Sequence, residues 1–289
     1  MIAGETHRFL VTDLVRWGMT REPLATLSAS RSGLRRMVEL AALGTDDGVY
    51  YDEMLVRVTG DRVETPAGKR DTSMAAYCTV AHEAFDDVTV HLDGPAVAIF
   101  DIDAALGWLE WLAAEQVDVV LLGDPEDAFA GTLELRTSEE TVQVACRHGP
   151  EVLGTVTTEL PSRFDDADRF RLEDGSVAPT RVETDAAALE RLADAVDLAE
   201  TVDGYPFVVD DGEFVLDVGS ELSLAHATAT LPGVVTGPDV SNRYSAELAA
   251  LARALDGDVV VQTGRGEPLV VVQSRSLFTL RYVLLPASW

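Results

Sequence analysis

Lysine is almost missing from this chain: among 22 basic residues Lys69 is the only one, and the others are arginine. Cysteine is as scarce. Cys78 and Cys146 are too few and too far apart for a disulfide framework or a thiolate zinc site, and both fall in strand-like stretches that suit buried, inert thiols. The five histidines, His7, His82, His91, His148 and His226, lack the close spacings of metal sites. No metal and no cofactor is therefore expected. No apolar run is long enough to span a bilayer and no secretory leader is recognisable, so a soluble, cytoplasmic protein without a membrane partner is expected.

Catalytic motifs are missing too. No glycine-rich phosphate loop occurs, and Gly212 and Gly264-Arg265-Gly266 read as hairpin turns. Serine, histidine and cysteine are scattered without a nucleophile-elbow context. The acidic pairs Asp165-Asp166 and Asp210-Asp211 fall in linker and turn. Trp108 and Trp111 lie three apart and share a helix face, which reads as core or interface. The expectation is a protein that is not an enzyme.

What is abundant is acid and apolar surface. Fifty Asp and Glu against 22 Lys and Arg give a net charge of −28, yet 47% of residues are hydrophobic. This excludes an acidic disordered chain and allows a large core. At 289 residues two domains are the default. Dense carboxylates with a single lysine match a halophilic surface that stays hydrated in molar salt. Salt at 1 M shortens electrostatic reach to roughly 3 Å, so the net charge does not decide whether DNA is a partner.

One plan occurs twice along the chain. In the first half a strand (24–29), a helix (32–43) and strands (48–51, 55–59) precede a second set: strand 97–101, helix 103–114, and strands 117–123, 132–136 and 141–147. In the second half a helix (184–200), a hairpin (207–210, 213–218) and a second helix (245–255) lead to strands from Asp258. The stretch Asp47-Gly48-Val49-Tyr50-Tyr51 parallels Asp203-Gly204-Tyr205-Pro206-Phe207, and Val117-Asp118-Val119-Val120 parallels Asp258-Val259-Val260-Val261. Residues 63–74 read as an irregular loop carrying Lys69. Residues 150–182, rich in acidic and turn-forming types, read as an interdomain connector.

The C-terminal end is the most telling. Tyr244 to Leu255 puts Leu248, Leu251 and Leu255 on one helix face, strand 258–263 follows, and then come Pro268-Leu269-Val270-Val271-Val272 and Phe278-Thr279-Leu280-Arg281-Tyr282-Val283-Leu284-Leu285-Pro286. This order and these residues resemble the C-terminal end of sliding clamps of the proliferating-cell-nuclear-antigen (PCNA) type. Residues 27–43, with Arg35 and Arg36 after a leucine, resemble the first strand and helix of such a clamp. The resemblance covers roughly residues 24–289. It implies an α+β DNA-clamp fold with two similar domains, each with two helices packed on curved antiparallel sheets: 1–23 an N-terminal extension, 24–149 domain 1, 150–182 the connector, and 183–289 domain 2.

The resemblance further implies a homotrimeric ring that encircles double-stranded DNA without sequence preference and holds polymerase-, ligase- or nuclease-type proteins on it as a processivity factor. It would be opened by a separate ATP-driven clamp loader, in a high-salt, nucleoid-associated setting. By motif position Arg31, Arg35, Arg36, Arg191, Arg243 and Arg253 would face DNA, with solvated helix faces as the other reading; the second helix has no basic residue at all. Pro268, Val283, Leu285, Pro286 and the terminal Trp289 would line a partner groove closed by Phe164 or Phe170, unless these residues simply finish the core. The alternative function is a divergent clamp-fold interaction module that does not encircle DNA.

Overall fold

A computed structural model describes residues 21–43, 53–68, 73–147, 159–199, 204–219 and 225–287. The expected strand 48–51, and with it one side of the 47–51/203–207 parallel, Lys69, residues 1–20, residues 148–158 and Trp289 lie outside the described residues.

Two halves repeat one order of eleven elements. The first runs β1 (Glu22–Ser30), α1 (Arg31–Ala42), β2 (Glu53–Val58), β3 (Arg62–Gly68), β4 (Met74–Ala81), β5 (Asp87–Val90), β6 (Ala96–Asp101), α2 (Ile102–Trp111), β7 (Gln116–Gly123), β8 (Ala130–Arg136) and β9 (Thr141–Ala145). The second runs β10 (Thr180–Asp185), α3 (Ala186–Ala199), β11 (Tyr205–Asp210), β12 (Glu213–Gly219), β13 (His226–Thr230), β14 (Val234–Thr236), β15 (Val240–Tyr244), α4 (Glu247–Ala254), β16 (Asp258–Thr263), β17 (Leu269–Ser274) and β18 (Phe278–Leu284).

Local chemistry sets these elements. Ser30 caps α1 by accepting from the Gly33 N–H at 3.1 Å, and Asp101 caps α2 by accepting from Ala104 N–H at 2.7 Å. Each helix then buries one stripe: Leu34, Val38 and Ala41 in α1; Ile102, Ala105 and Leu109 in α2; Leu189, Leu192 and Val196 in α3; Leu248, Leu251 and Ala252 in α4. Full burial of a leucine such as Leu189 or Leu192 is worth about 2 kcal/mol in transfer free energy. The β11/β12 hairpin closes on Asp211 (φ 47°) and Gly212 (φ 74°), two successive left-handed residues whose twist matches the paired strands.

All the strand pairs in the three sheets are antiparallel. One sheet has the order β5-β1-β7-β8-β9 and another β13-β12-β11-β15; the third, β14-β10-β16-β17-β18-β4-β3-β2-β6, crosses from one half to the other. The crossing is the β18/β4 pair, in register from Phe278 opposite Val80 to Leu284 opposite Met74. Two further bonds tie the halves there: Tyr282 Oη donates to the Leu40 carbonyl at 2.8 Å, and Arg36 Nη2 donates to the Ala254 carbonyl at 2.8 Å.

Several expectations need correction. Of the expected loop 63–74, residues 63–68 are instead part of β3, which is paired along its length with β4, and Met74 opens β4. Pro66 disguises β3, yet pairing with β2 ends at Glu64, so the proline sits where the ladder is one-sided. The second half opens on a strand, β10, ahead of its helix, and this strand takes residues 180–182 from the expected connector. At the other end β1 takes Glu22 and Pro23 from the expected extension. Trp108 and Trp111 are not core: they stand 40% and 58% exposed.

Candidate partner groove and helical face

Residues 159–178 fold as a strap over one face of the nine-stranded sheet. A short turn, Leu160–Arg163, leads into a chain that bridges back on itself at Phe164/Phe170 and Arg171/Val177. Asp165 pins the bend: its carboxylate accepts from the Ala167 and Arg169 N–H groups, each at 3.0 Å, and these backbone bonds with Arg169 hold it below the usual carboxylate range. Leu160 and Phe170 then pack on Ala75, Tyr77, Val270, Val272 and Val283.

Two polar side chains of the second half hold the strap down. Gln262, buried in β16, accepts from Phe170 N–H at 3.0 Å and donates to the Asp168 carbonyl at 2.7 Å. Arg281, in β18, donates from Nε to Asp168 Oδ1 at 2.8 Å and from Nη1 to Thr79 Oγ1 at 3.1 Å. Its guanidinium lies over the Tyr77 and Phe164 rings, 5.2 and 5.5 Å from their centres. Asp168 reaches this pair from a left-handed backbone, φ 56°.

Between the strap, the turn that leads into β17, β18 and the C-terminal tail lies a cavity of about 490 Å³. Ala75, Leu160, Phe170, Leu172, Pro268, Val283, Leu285 and Pro286 make its walls, and Glu159, Arg163, Glu173 and Glu267 its polar lining. The tail is fixed by Leu285 N–H to the Ser73 carbonyl and Ala287 N–H to the Arg243 carbonyl, both at 2.9 Å. So Pro268, Val283, Leu285 and Pro286 do come together. Val283 also finishes the core beneath, whereas Leu285 stays 39% exposed. Phe164 lies behind the wall, 6.5 Å from the Tyr77 ring and 5.4 Å from that of Phe170, and Phe170 is the ring that meets the cavity. The grip of Gln262 and Arg281 was not expected. A glutamine directly after the apolar run Val259-Val260-Val261, in the same strand, is the one sequence signal for it, because a buried amide needs partners.

The six arginines separate. Arg31 donates to the Leu112 carbonyl at 2.6 Å and lies 3.6 Å from Glu115. Arg35 bonds Glu39 at 2.8 Å and faces Glu110 at 3.9 Å; the Glu39 bond and both charges hold its pKa above the usual value. Arg253 reaches Asp197 at 2.6 Å and Asp194 at 3.1 Å, which raises its pKa as well. Arg36 spends a donor on Ala254, and Arg243 lies on β15 beside the tail, not on a helix. Arg191 is exposed on α3 and makes no ion pair among the described residues. The four helices carry more carboxylates, Glu39, Asp103, Glu110, Glu190, Asp194, Asp197 and Glu247, than guanidinium groups.

Cys78 is buried and Cys146 half-buried, and burial pushes their thiols up to about 11 and about 12, away from the thiolate form.

No protein-family model and no curated sequence matches the chain. Solved structures do. PCNA from A. fulgidus, solved with the C-terminal region of FEN-1 bound, superimposes with a TM-score of 0.70 at 13% identity over 92% of this chain and 99% of that one. PCNA from Entamoeba histolytica gives 0.67 at 10% identity over 92% and 100%. A putative DNA polymerase III beta subunit from Eubacterium rectale gives 0.67 at 12% identity, over 96% of this chain and 69% of that one. The fold is thus that of the sliding clamps, which are non-enzymatic scaffolds. Within that class its two-domain plan is that of the PCNA type.

Proposed function

We propose that three copies of this chain close into a ring around duplex DNA, and that the cavity under the strap tethers replication or repair proteins to it. One observation carries the reading. The order β14-β10-β16-β17-β18 repeats β5-β1-β7-β8-β9, and β4-β3-β2-β6 repeats β13-β12-β11-β15, so the β18/β4 joint inside the chain has a counterpart, β9 with β13. Both of those strands are sheet ends in the single chain. Pairing β9 of one copy with β13 of the next repeats the internal joint head to tail, hides two edges that would otherwise aggregate, and closes when the rotation per joint is right. The likeness to PCNA favours three copies.

The groove suits a short segment with apolar and aromatic anchors, in keeping with the FEN-1 segment held by the A. fulgidus clamp. Three glutamates against one arginine in its lining favour a basic flank on the ligand. The ring itself consumes no nucleotide, and a separate ATP-driven loader would open it. No helix among the described residues is long and apolar enough to cross a membrane, and the acidic surface suits a high-salt, nucleoid-associated setting.

Because Arg31, Arg35 and Arg253 are already paired, retention comes from enclosure more than from neutralised phosphates. The test is topological. Subunits diluted apart and reconcentrated with closed circular DNA should stay on it through gel filtration in molar KCl and leave when one cut makes it linear. Those same paired arginines favour a second reading, a clamp-fold interaction module that does not encircle DNA. An oligomer that captures peptide but is not retained on circles would establish that module and refute the encircling ring.

A further inference from the structure

We propose that the seam between copies is built by α2 of one copy and α3 of the next, with Arg191 donating to the Trp111 carbonyl across it and Trp108 and Trp111 packing against Leu198. The inference rests on the ring reading and deepens it, and it moves Arg191 from the DNA-facing set to the subunit interface.

Equivalent bonds set the correspondence between halves. Arg31 N–H donates to the Glu115 carbonyl at 2.6 Å, as Ala186 N–H does to Gly257 at 2.9 Å; Leu112 N–H donates to Trp108 at 3.0 Å, as Leu255 N–H does to Leu251 at 3.1 Å. Arg191 therefore stands where Arg36 stands, Leu198 where Leu43 does, Trp108 where Leu251 does, and Trp111 where Ala254 does. At the internal joint all four positions are used. Arg36 reaches the Ala254 carbonyl at 2.8 Å, Leu251 is fully buried, and Leu43 packs on the core.

At the open ends the same positions are unfilled. Trp108 is 40% exposed, Leu198 is 83% exposed, and the Trp111 carbonyl has no protein partner among the described residues. The last turn of α2 has no basic residue, whereas that of α4 has Arg253. Arg31 already donates to the Leu112 carbonyl at this end of α2, so the carbonyl left for a guanidinium from outside is that of Trp111, the position that Arg36 serves at Ala254. The two tryptophans meet edge to face at 5.6 Å, and α2 packs against β9, so the apolar patch continues the very edge that the ring reading pairs. Large exposed aromatics beside an open edge are the material of an interface centre.

The experiment combines light scattering over a dilution series in molar KCl with tryptophan emission in a Trp17→Phe, Trp289→Phe background. The parent chain should form a ring whose assembly shifts emission to the blue. Arg191→Glu and the Trp108→Ser, Trp111→Ser double variant should each raise the concentration for half-assembly at least tenfold while keeping the parent's circular dichroism; Arg191→Lys should recover most of it. If the parent assembles but emission does not move on dilution, or if both variants assemble like the parent, the seam is overturned while the ring stands. A parent that is monomeric at every concentration overturns both.

Discussion

Glu64 lies in β3 with 4% of its surface exposed, and three donors converge on it: Arg62 Nε at 2.8 Å, Tyr77 Oη at 3.0 Å and Arg57 Nη1 at 3.0 Å. Burial alone would push its pKa up, but the bonds from Arg62, Tyr77 and Arg57 outweigh it and leave the value below normal. The same site pushes Tyr77 up to about 12, first by burial and then through the Glu64 charge. A carboxylate with a depressed folded pKa stabilises the fold above its unfolded pKa, about 4.3, and loses that stabilisation as pH falls through the lower folded value. Glu64→Gln should therefore cost about 1–3 kcal/mol at pH 7, the scale of one buried polar group left short of a partner. The difference from the parent should shrink as pH drops below about 4. Urea unfolding of both proteins at pH 7 and pH 3 checks this, and a gap that stays constant would remove the charge from the explanation.

The strap over the sheet is an element held by chemistry far from it in sequence, and its attachment sets the shape of the groove. Arg281→Ala removes the ion pair to Asp168, the bond to Thr79 and the cover on two rings. Asp168 is 29% exposed at its side chain, so solvent recovers part of the loss and about 2 kcal/mol of stability is the expected cost. Amide exchange should quicken across 159–178 and leave β16 to β18 protected. Binding of a basic peptide with aromatic anchors should weaken along with it, and unchanged exchange in the strap would show that Gln262 alone suffices. This element also marks where sequence reasoning stops. Strand 258–263 was readable to its ends because an apolar run sits between turn signals, and the four groove residues Pro268, Val283, Leu285 and Pro286 came with the resemblance. The strap's register was not readable, because Gln262 and Arg281 fix it from about a hundred residues away; hence Phe170, and not Phe164, meets the cavity. Strand β10 was hidden by its composition: Thr-Arg-Val-Glu-Thr-Asp buries only Thr180 and Val182. In the same way the arginines of the helical face were visible, and the pairing of Arg253 with Asp194 and Asp197 of the neighbouring helix was not.

At the scale of the whole molecule the strongest influence is a net charge of −28 on one 31.1 kDa chain. Self-repulsion of that size opposes compaction, and it opposes ring closure again, since each joint brings like-charged copies together. The remedy available is screening: the Debye length falls from about 10 Å at 0.1 M to about 3 Å at 1 M, which removes repulsion between separated surface carboxylates and spares close or buried pairs such as Arg281 with Asp168. Folding and assembly should therefore respond to salt in the same direction but at different concentrations. The thermal midpoint should climb steeply as KCl rises from 0.1 M and flatten near 1 M, where most long-range repulsion is gone. Assembly should tighten over the KCl series and tighten further when sulfate is added beyond that point, because burying Trp108 and Trp111 is an apolar contribution that strongly excluded salts reinforce. Calorimetry and light scattering on the same KCl series measure the two. A midpoint that stays level from 0.1 to 2 M would show that the carboxylates are spaced widely enough to be neutral to the fold, and the halophilic reading of the composition would fall with it.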